Sequence, residues 1–96
     1  MTLRIHPEAR REFQYSAAYY RKISRELASR FTTEVEEAFQ EVIISPYLHP
    51  FIEYPARTKL LHDFPFSIIY IIEPEGVFIV AVMHQKRRPG YWHGRL

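Results

Sequence analysis

Phe66-Ser67-Ile68-Ile69-Tyr70-Ile71-Ile72-Glu73-Pro74-Glu75-Gly76-Val77-Phe78-Ile79-Val80-Ala81-Val82-Met83 is the stretch that decides the fold. Two apolar runs rich in β-branched residues flank a Pro-Glu-Gly turn signal, which predicts two strands joined as an antiparallel hairpin. Neither run alternates apolar with polar residues, the mark of central strands covered on both faces. Working outward, residues 57–62 read as a further strand, and residues 46–55, with three of the seven prolines, as a loop. Residues 2–5 read as a short first strand.

Two helices lie between these. Pro7-Glu8 suits a first helical turn, where a missing N–H costs nothing and a carboxylate meets the positive end of the helix dipole. Ala9, Phe13, Ala17 and Tyr20 then recur at helical spacing. Ser24 is placed as an N-cap that restarts the chain into a second helix. There Leu27, Phe31, Val35, Ala38 and Val42, widened by Phe39 and Ile43, form one buried stripe. Ser45-Pro46 ends it, because the residue before proline is pushed out of helical geometry. The order is β-α-α-β-β-β. It predicts one α+β domain over residues 1–96, an antiparallel-rich sheet with an αα-hairpin packed on one face.

Composition narrows the function. With 47% hydrophobic and 16% aromatic residues, the chain has the makings of a globular core rather than a disordered segment. It has no cysteine, which excludes a disulfide framework and a cysteine-based zinc site. No serine sits in a glycine-flanked elbow, so nucleophilic catalysis is not expected; His49, His62 and His93 show no metal-ligand spacing, so no metal is expected, and no cofactor either. No segment reaches the roughly 18 apolar residues needed to cross a bilayer, and the N-terminal residues lack the apolar run of a signal peptide. A cytoplasmic protein with no membrane partner is the expectation.

Charge is unevenly placed. Residues 8–41 carry seven acidic and six basic side chains, whereas residues 84–96 carry Lys86, Arg87, Arg88 and Arg95 with no acid opposing them. An apolar strand therefore delivers concentrated positive charge, with Tyr91 and Trp92, to one edge of the fold. Phosphate or carboxylate partners suit that combination. The two rings either stack on a ligand or cap the core.

Taken in order, these residues resemble the RelE/ParE superfamily of toxins from bacterial type II toxin–antitoxin pairs. The likeness runs from the strand–Pro7-Glu8-Ala9 opening through Ala18-Tyr19-Tyr20, Arg30-Phe31, Ser45-Pro46 and Arg57. It continues in Phe64-Pro65-Phe66-Ser67-Ile68-Ile69-Tyr70 and in Val82-Met83-His84-Gln85-Lys86-Arg87-Arg88-Pro89-Gly90-Tyr91-Trp92. The resemblance implies a toxin neutralised by a cognate antitoxin protein, with which it forms a hetero-oligomer. ParE-like members trap DNA gyrase without hydrolysis, and RelE-like members cut mRNA on the ribosome. Phe64-Pro65-Phe66 and the set His84, Arg88-Pro89 and Trp92 place the chain nearer the ParE-like branch. Ser67 stands where RelE-like nucleases usually carry an arginine. A third reading is a non-toxic relative that binds its partner and co-represses transcription.

Each reading names residues. RNA cleavage would draw on Arg57 and Lys59, which share one face of their strand, with Arg87 on the phosphate and His84 or Tyr91 handling protons. Contact with a protein target or nucleic acid would use Lys86, Arg87, Arg88, Tyr91, Trp92 and Arg95. Tyr15, Tyr19 and Tyr20 cannot all point inward from one helix, so an accessible tyrosine face is expected to bind the antitoxin. An acidic, apolar, disordered segment of that partner would neutralise the basic edge in a salt-sensitive way.

Overall fold

A single residue sets the helical hairpin. In the computed structural model, which describes residues 2–96, Ser24 closes helix α1 (Pro7–Ile23) and opens helix α2 (Arg25–Ile44). Its N–H donates to the Tyr20 carbonyl at 2.9 Å, and its Oγ accepts from Leu27 N at 2.9 Å. With no residue to spare at the joint, the helices fold back on one another. The other end of α1 is capped by His6, whose Nδ1 accepts from Glu8 N at 3.0 Å. Ser45 follows the last turn of α2, ahead of Pro46 as expected.

Among the described residues the sheet has five strands: β1 (Thr2–Ile5), β2 (Phe51–Glu53), β3 (Ala56–Leu60), β4 (Phe66–Glu73) and β5 (Gly76–His84). Their order is β1-β5-β4-β3-β2. The β4–β5 hairpin is antiparallel, as its sequence predicts, while β1 runs parallel to β5 because the helical hairpin carries the chain back across the sheet. Gly76 lies against β1 so closely that a Cβ there would stand 2.0 Å from the Thr2 carbonyl oxygen.

Two features depart from the sequence reading. Residues 46–55, read as a loop, contain β2, so there is one strand more than predicted. It is a three-residue edge strand bracketed by Pro50 and Pro55, positions where a missing N–H disturbs no ladder. The strand expected over residues 57–62 covers Ala56–Leu60 instead; its end is held by the Glu34 carboxylate, which accepts from the backbone N–H groups of His62 and Asp63. In β5, Ile69 pairs with Ala81 and Tyr70 with Ile79, leaving Val80 as the extra residue of a β-bulge.

Strand alternation divides the side chains between two cores, and the bulge shifts its phase within β5. On the helical face, Phe31, Val35, Phe39 and Val42 pack against Ile68, Tyr70, Ile79 and Val82. Phe31 is their hub, with ring centroids 5.1 Å from Tyr20, 5.2 Å from Phe64 and 5.0 Å from Phe66. On the opposite face, Ile69, Phe78, Val80 and Ala81 are covered by Trp92 and, at the margin, Tyr91. Consecutive Val80 and Ala81 both reach that second core only because of the bulge. The chain after β5, ending in a short 3-10 turn (His93–Arg95), is therefore a lid on the sheet. Among the described residues no helix is long and apolar enough to cross a membrane.

Candidate functional site

Strand β5 has nine residues and β1 four, so β5 outruns its neighbour and leaves an open edge beyond Ile79. Unpaired edge groups must find partners. Glu12 of α1 takes the N–H of Val82 at 3.0 Å, and Arg95 Nη1 donates to the Val80 carbonyl at 3.1 Å. Around these bonds the C-terminal segment is assembled.

Glu12 is its centre. Oε1 accepts from Val82 N and from Arg95 Nη1 at 3.0 Å; Oε2 accepts from Arg95 Nη2 at 2.9 Å and from the Tyr91 hydroxyl at 2.7 Å. Four donors saturate one carboxylate, and the Glu12–Arg95 pair is largely shielded from solvent. Burial, the hydrogen bond to Glu12 and its negative charge push the Tyr91 phenol well above its ordinary range. Arg87 stacks on the Tyr91 ring, its guanidinium carbon 3.9 Å from the ring centroid, and stands 3.9 Å from Glu12 Oε2, beyond hydrogen-bond distance. The basic segment is thus opposed by an acid after all, one supplied from α1 and not from the nearby sequence.

His84 ends β5 and organises the turn that follows. Its Nδ1 accepts from Lys86 N at 3.0 Å and its carbonyl accepts from Arg87 N at 3.0 Å. With Nδ1 an acceptor, the neutral ring carries its proton on Nε2. Lys86, Arg87 and Arg88 are all exposed on that turn. Gly90 completes it at φ +76°, where a Cβ would strike the His93 ring 2.5 Å away. His93 in turn bonds the Glu53 carboxylate, tying the segment to β2.

Two sets of residues expected to act apart share one cleft of about 590 Å³. Its walls include Tyr15, Tyr19 and Tyr20 from α1, with His84 and Arg87 from the end of β5. Tyr15 and Tyr19 are 78% and 56% exposed, whereas Tyr20 turns its ring into the aromatic core. Tyr20 is therefore the member of the trio that packs.

Other expected residues lie elsewhere. Trp92, expected as a possible stacking ring, is 1% exposed and belongs to the second core, so it is capping that this ring performs. Arg95 is consumed by Glu12. Arg57 donates to the carbonyls of Tyr47 and His49 at 3.3 and 2.7 Å and stacks on Phe51 at 4.0 Å. Lys59 pairs with Glu41 at 3.0 Å and lines a different cleft, between α2 and β3. The structure does not bring Arg57 and Lys59 to His84, Arg87 and Tyr91, because β4 stands between the two strands. Ser67 is buried opposite Met83. His49, beside Arg57 and Lys59, has its pKa lowered from 6.5 by burial and then by Lys59. Among the described residues no group of three or more His, Asp or Glu is arranged to hold a metal ion.

A helical hairpin on one face of an antiparallel-rich sheet, with a basic turn beside a tyrosine-lined cleft, defines a RelE/ParE-type domain. The family model of the ParE toxin of the type II toxin–antitoxin system parDE matches residues 3–89, and the chain belongs to that family. It is a toxin of the type II class, whose partner is an antitoxin protein. No curated protein matches the sequence.

Proposed function

We propose that this toxin arrests growth by gripping DNA gyrase through the turn at residues 86–88, by contact and without hydrolysis. The cognate antitoxin then silences it by filling the neighbouring tyrosine cleft. The observation that carries this reading is the state of the groups RNA cleavage would need. Tyr91 donates to Glu12 with its proton held tightly, so it is a poor acid at neutral pH. Arg57 and Lys59 are engaged by carbonyls and by Glu41, away from His84. Lys86 and Arg88, by contrast, are exposed and form no ion pair among the described residues. A surface of free cations beside an apolar cleft suits a protein partner bearing carboxylates.

The cleft fits an antitoxin segment with apolar side chains between acidic ones. Tyr15 and Tyr19 offer apolar area over a floor at Phe66 and Val82, and Arg87 with the His84 Nε2–H offers donors at the rim. The test is supercoiling by purified gyrase with the toxin added. Wild-type toxin is expected to accumulate cleaved DNA, and the double variant K86A/R88A to need roughly tenfold more protein, about 1.4 kcal/mol of lost contact. Gyrase indifferent to wild-type toxin would refute the reading.

A further inference from the structure

We propose that Glu12 is the positioning residue of the basic end: it locks residues 91–95 against α1 and so fixes where Arg87 and its neighbours are presented. The inference rests on the reading of residues 86–88 as target-facing given above. Three observations lead to it.

Among the described residues Glu12 is the one side chain of α1 whose hydrogen bonds join that helix to the open edge of β5 and the C-terminal segment. It holds Val82 N, Tyr91 and Arg95 together, and Arg95 extends the link to the Val80 carbonyl. Without this carboxylate the segment loses its attachment to α1 and is held by the His93–Glu53 bond and the packing of Trp92, which then seats less firmly on the sheet.

The saturation of Glu12 is equally telling. Both oxygens already accept two hydrogen bonds, so Arg87, at 3.9 Å, contributes charge without a bond. Its guanidinium is left on the Tyr91 ring, half exposed and with no hydrogen-bond acceptor among the described residues. Holding a cation over a ring while sparing its N–H groups prepares it for a bidentate oxyanion. The ring stays in place because its hydroxyl is bonded to Glu12.

Finally, Arg87 lines clefts on both sides of the segment: the tyrosine cleft, and a second of about 370 Å³ bounded by Ile52, Met83, Pro89 and Trp92. It stands on the ridge between them. A small shift of the segment therefore relocates this cation relative to both, which makes its anchoring a condition of recognition.

The experiment compares E12Q with K86A/R88A in full-length toxin. It reads growth inhibition on induction without antitoxin, helix content by circular dichroism, and emission of the single tryptophan, Trp92. E12Q is expected to keep its helix content, shift Trp92 emission to the red, become more accessible to acrylamide and lose inhibition. K86A/R88A is expected to lose inhibition with native Trp92 emission. Retained inhibition in E12Q beside loss in K86A/R88A overturns the role of Glu12 and leaves the gyrase reading standing. Loss in E12Q with unchanged Trp92 emission also overturns it, since Glu12 would then be touching the target itself. Full inhibition by K86A/R88A brings down the reading and this inference together. Should E12Q fail to fold, R95K keeps the charge but removes the two-pronged bond. Intermediate inhibition with increased quenching is then expected, and full inhibition with native emission overturns the proposal.

Discussion

Replacing Phe31 with alanine is expected to lower the unfolding free energy by about 3–5 kcal/mol, a large share of the roughly 5–15 kcal/mol typical of a whole domain. Phe31 is fully buried and sits where both helices meet β4. Its ring touches Tyr20, Phe64 and Phe66 at centroid distances of 5.0–5.2 Å and Phe13 at 6.0 Å. Removing it opens a cavity that four aromatic neighbours, each pinned by its own backbone, cannot collapse to fill. Urea denaturation followed by circular dichroism gives the measurement: the midpoint should fall sharply while the slope stays constant. A loss under about 1 kcal/mol would mean that the helices are not seated on the sheet through this residue.

Trp92 is expected to separate packing from polarity on the other face. Trp92→Ala should cost about 3–5 kcal/mol, because the indole covers the second core formed by Ile69, Phe78, Val80 and Ala81. Trp92→Phe should cost clearly less than Trp92→Ala, since among the described residues the buried indole Nε1 has no hydrogen-bond partner to lose and a phenyl ring leaves only a smaller cavity. Thermal unfolding of both variants decides it; equal losses would show that the indole nitrogen matters more than the ring. The contrast has a practical consequence. Deleting residues 91–96 would strip the lid from the sheet, so the part played by the basic end is better tested at Lys86 and Arg88, which hold nothing together.

Much of the fold is legible in the chain because the signals are local. The Pro-Glu-Gly turn between two apolar runs fixes the β4–β5 hairpin, Ser24 fixes the joint between the helices, and Ser45-Pro46 fixes the end of α2. What escapes is set by distant partners. Strand β2 is three residues long and flanked by prolines, so its pairing with β3 leaves no periodic trace. The bulge at Val80 is invisible for a related reason: Val80 and Ala81 are both apolar and fit either face.

The site is less legible than the fold. That some of Tyr15, Tyr19 and Tyr20 must be exposed is readable because a helix has only one buried stripe; that Tyr20 is the one that packs is not. Nor is the role of Glu12, since nothing nearby in the chain distinguishes it from Glu8 or the glutamates of α2. One signal was available: Glu12 flanks the buried Ala9–Phe13 stripe, while the last thirteen residues contain four Lys or Arg and no acid. Cations on a segment that also caps a core must find a carboxylate elsewhere, and one beside a buried stripe is the natural donor of that charge.

The central claim, that this toxin acts on gyrase by contact and not on messages by cleavage, is tested most directly in cells minutes after induction without antitoxin. The 5′ ends of translated messages are mapped by primer extension, and a DNA-damage reporter is read from the same culture. Intact messages with a strong damage signal are the predicted result. New cuts inside reading frames with a silent reporter would contradict it.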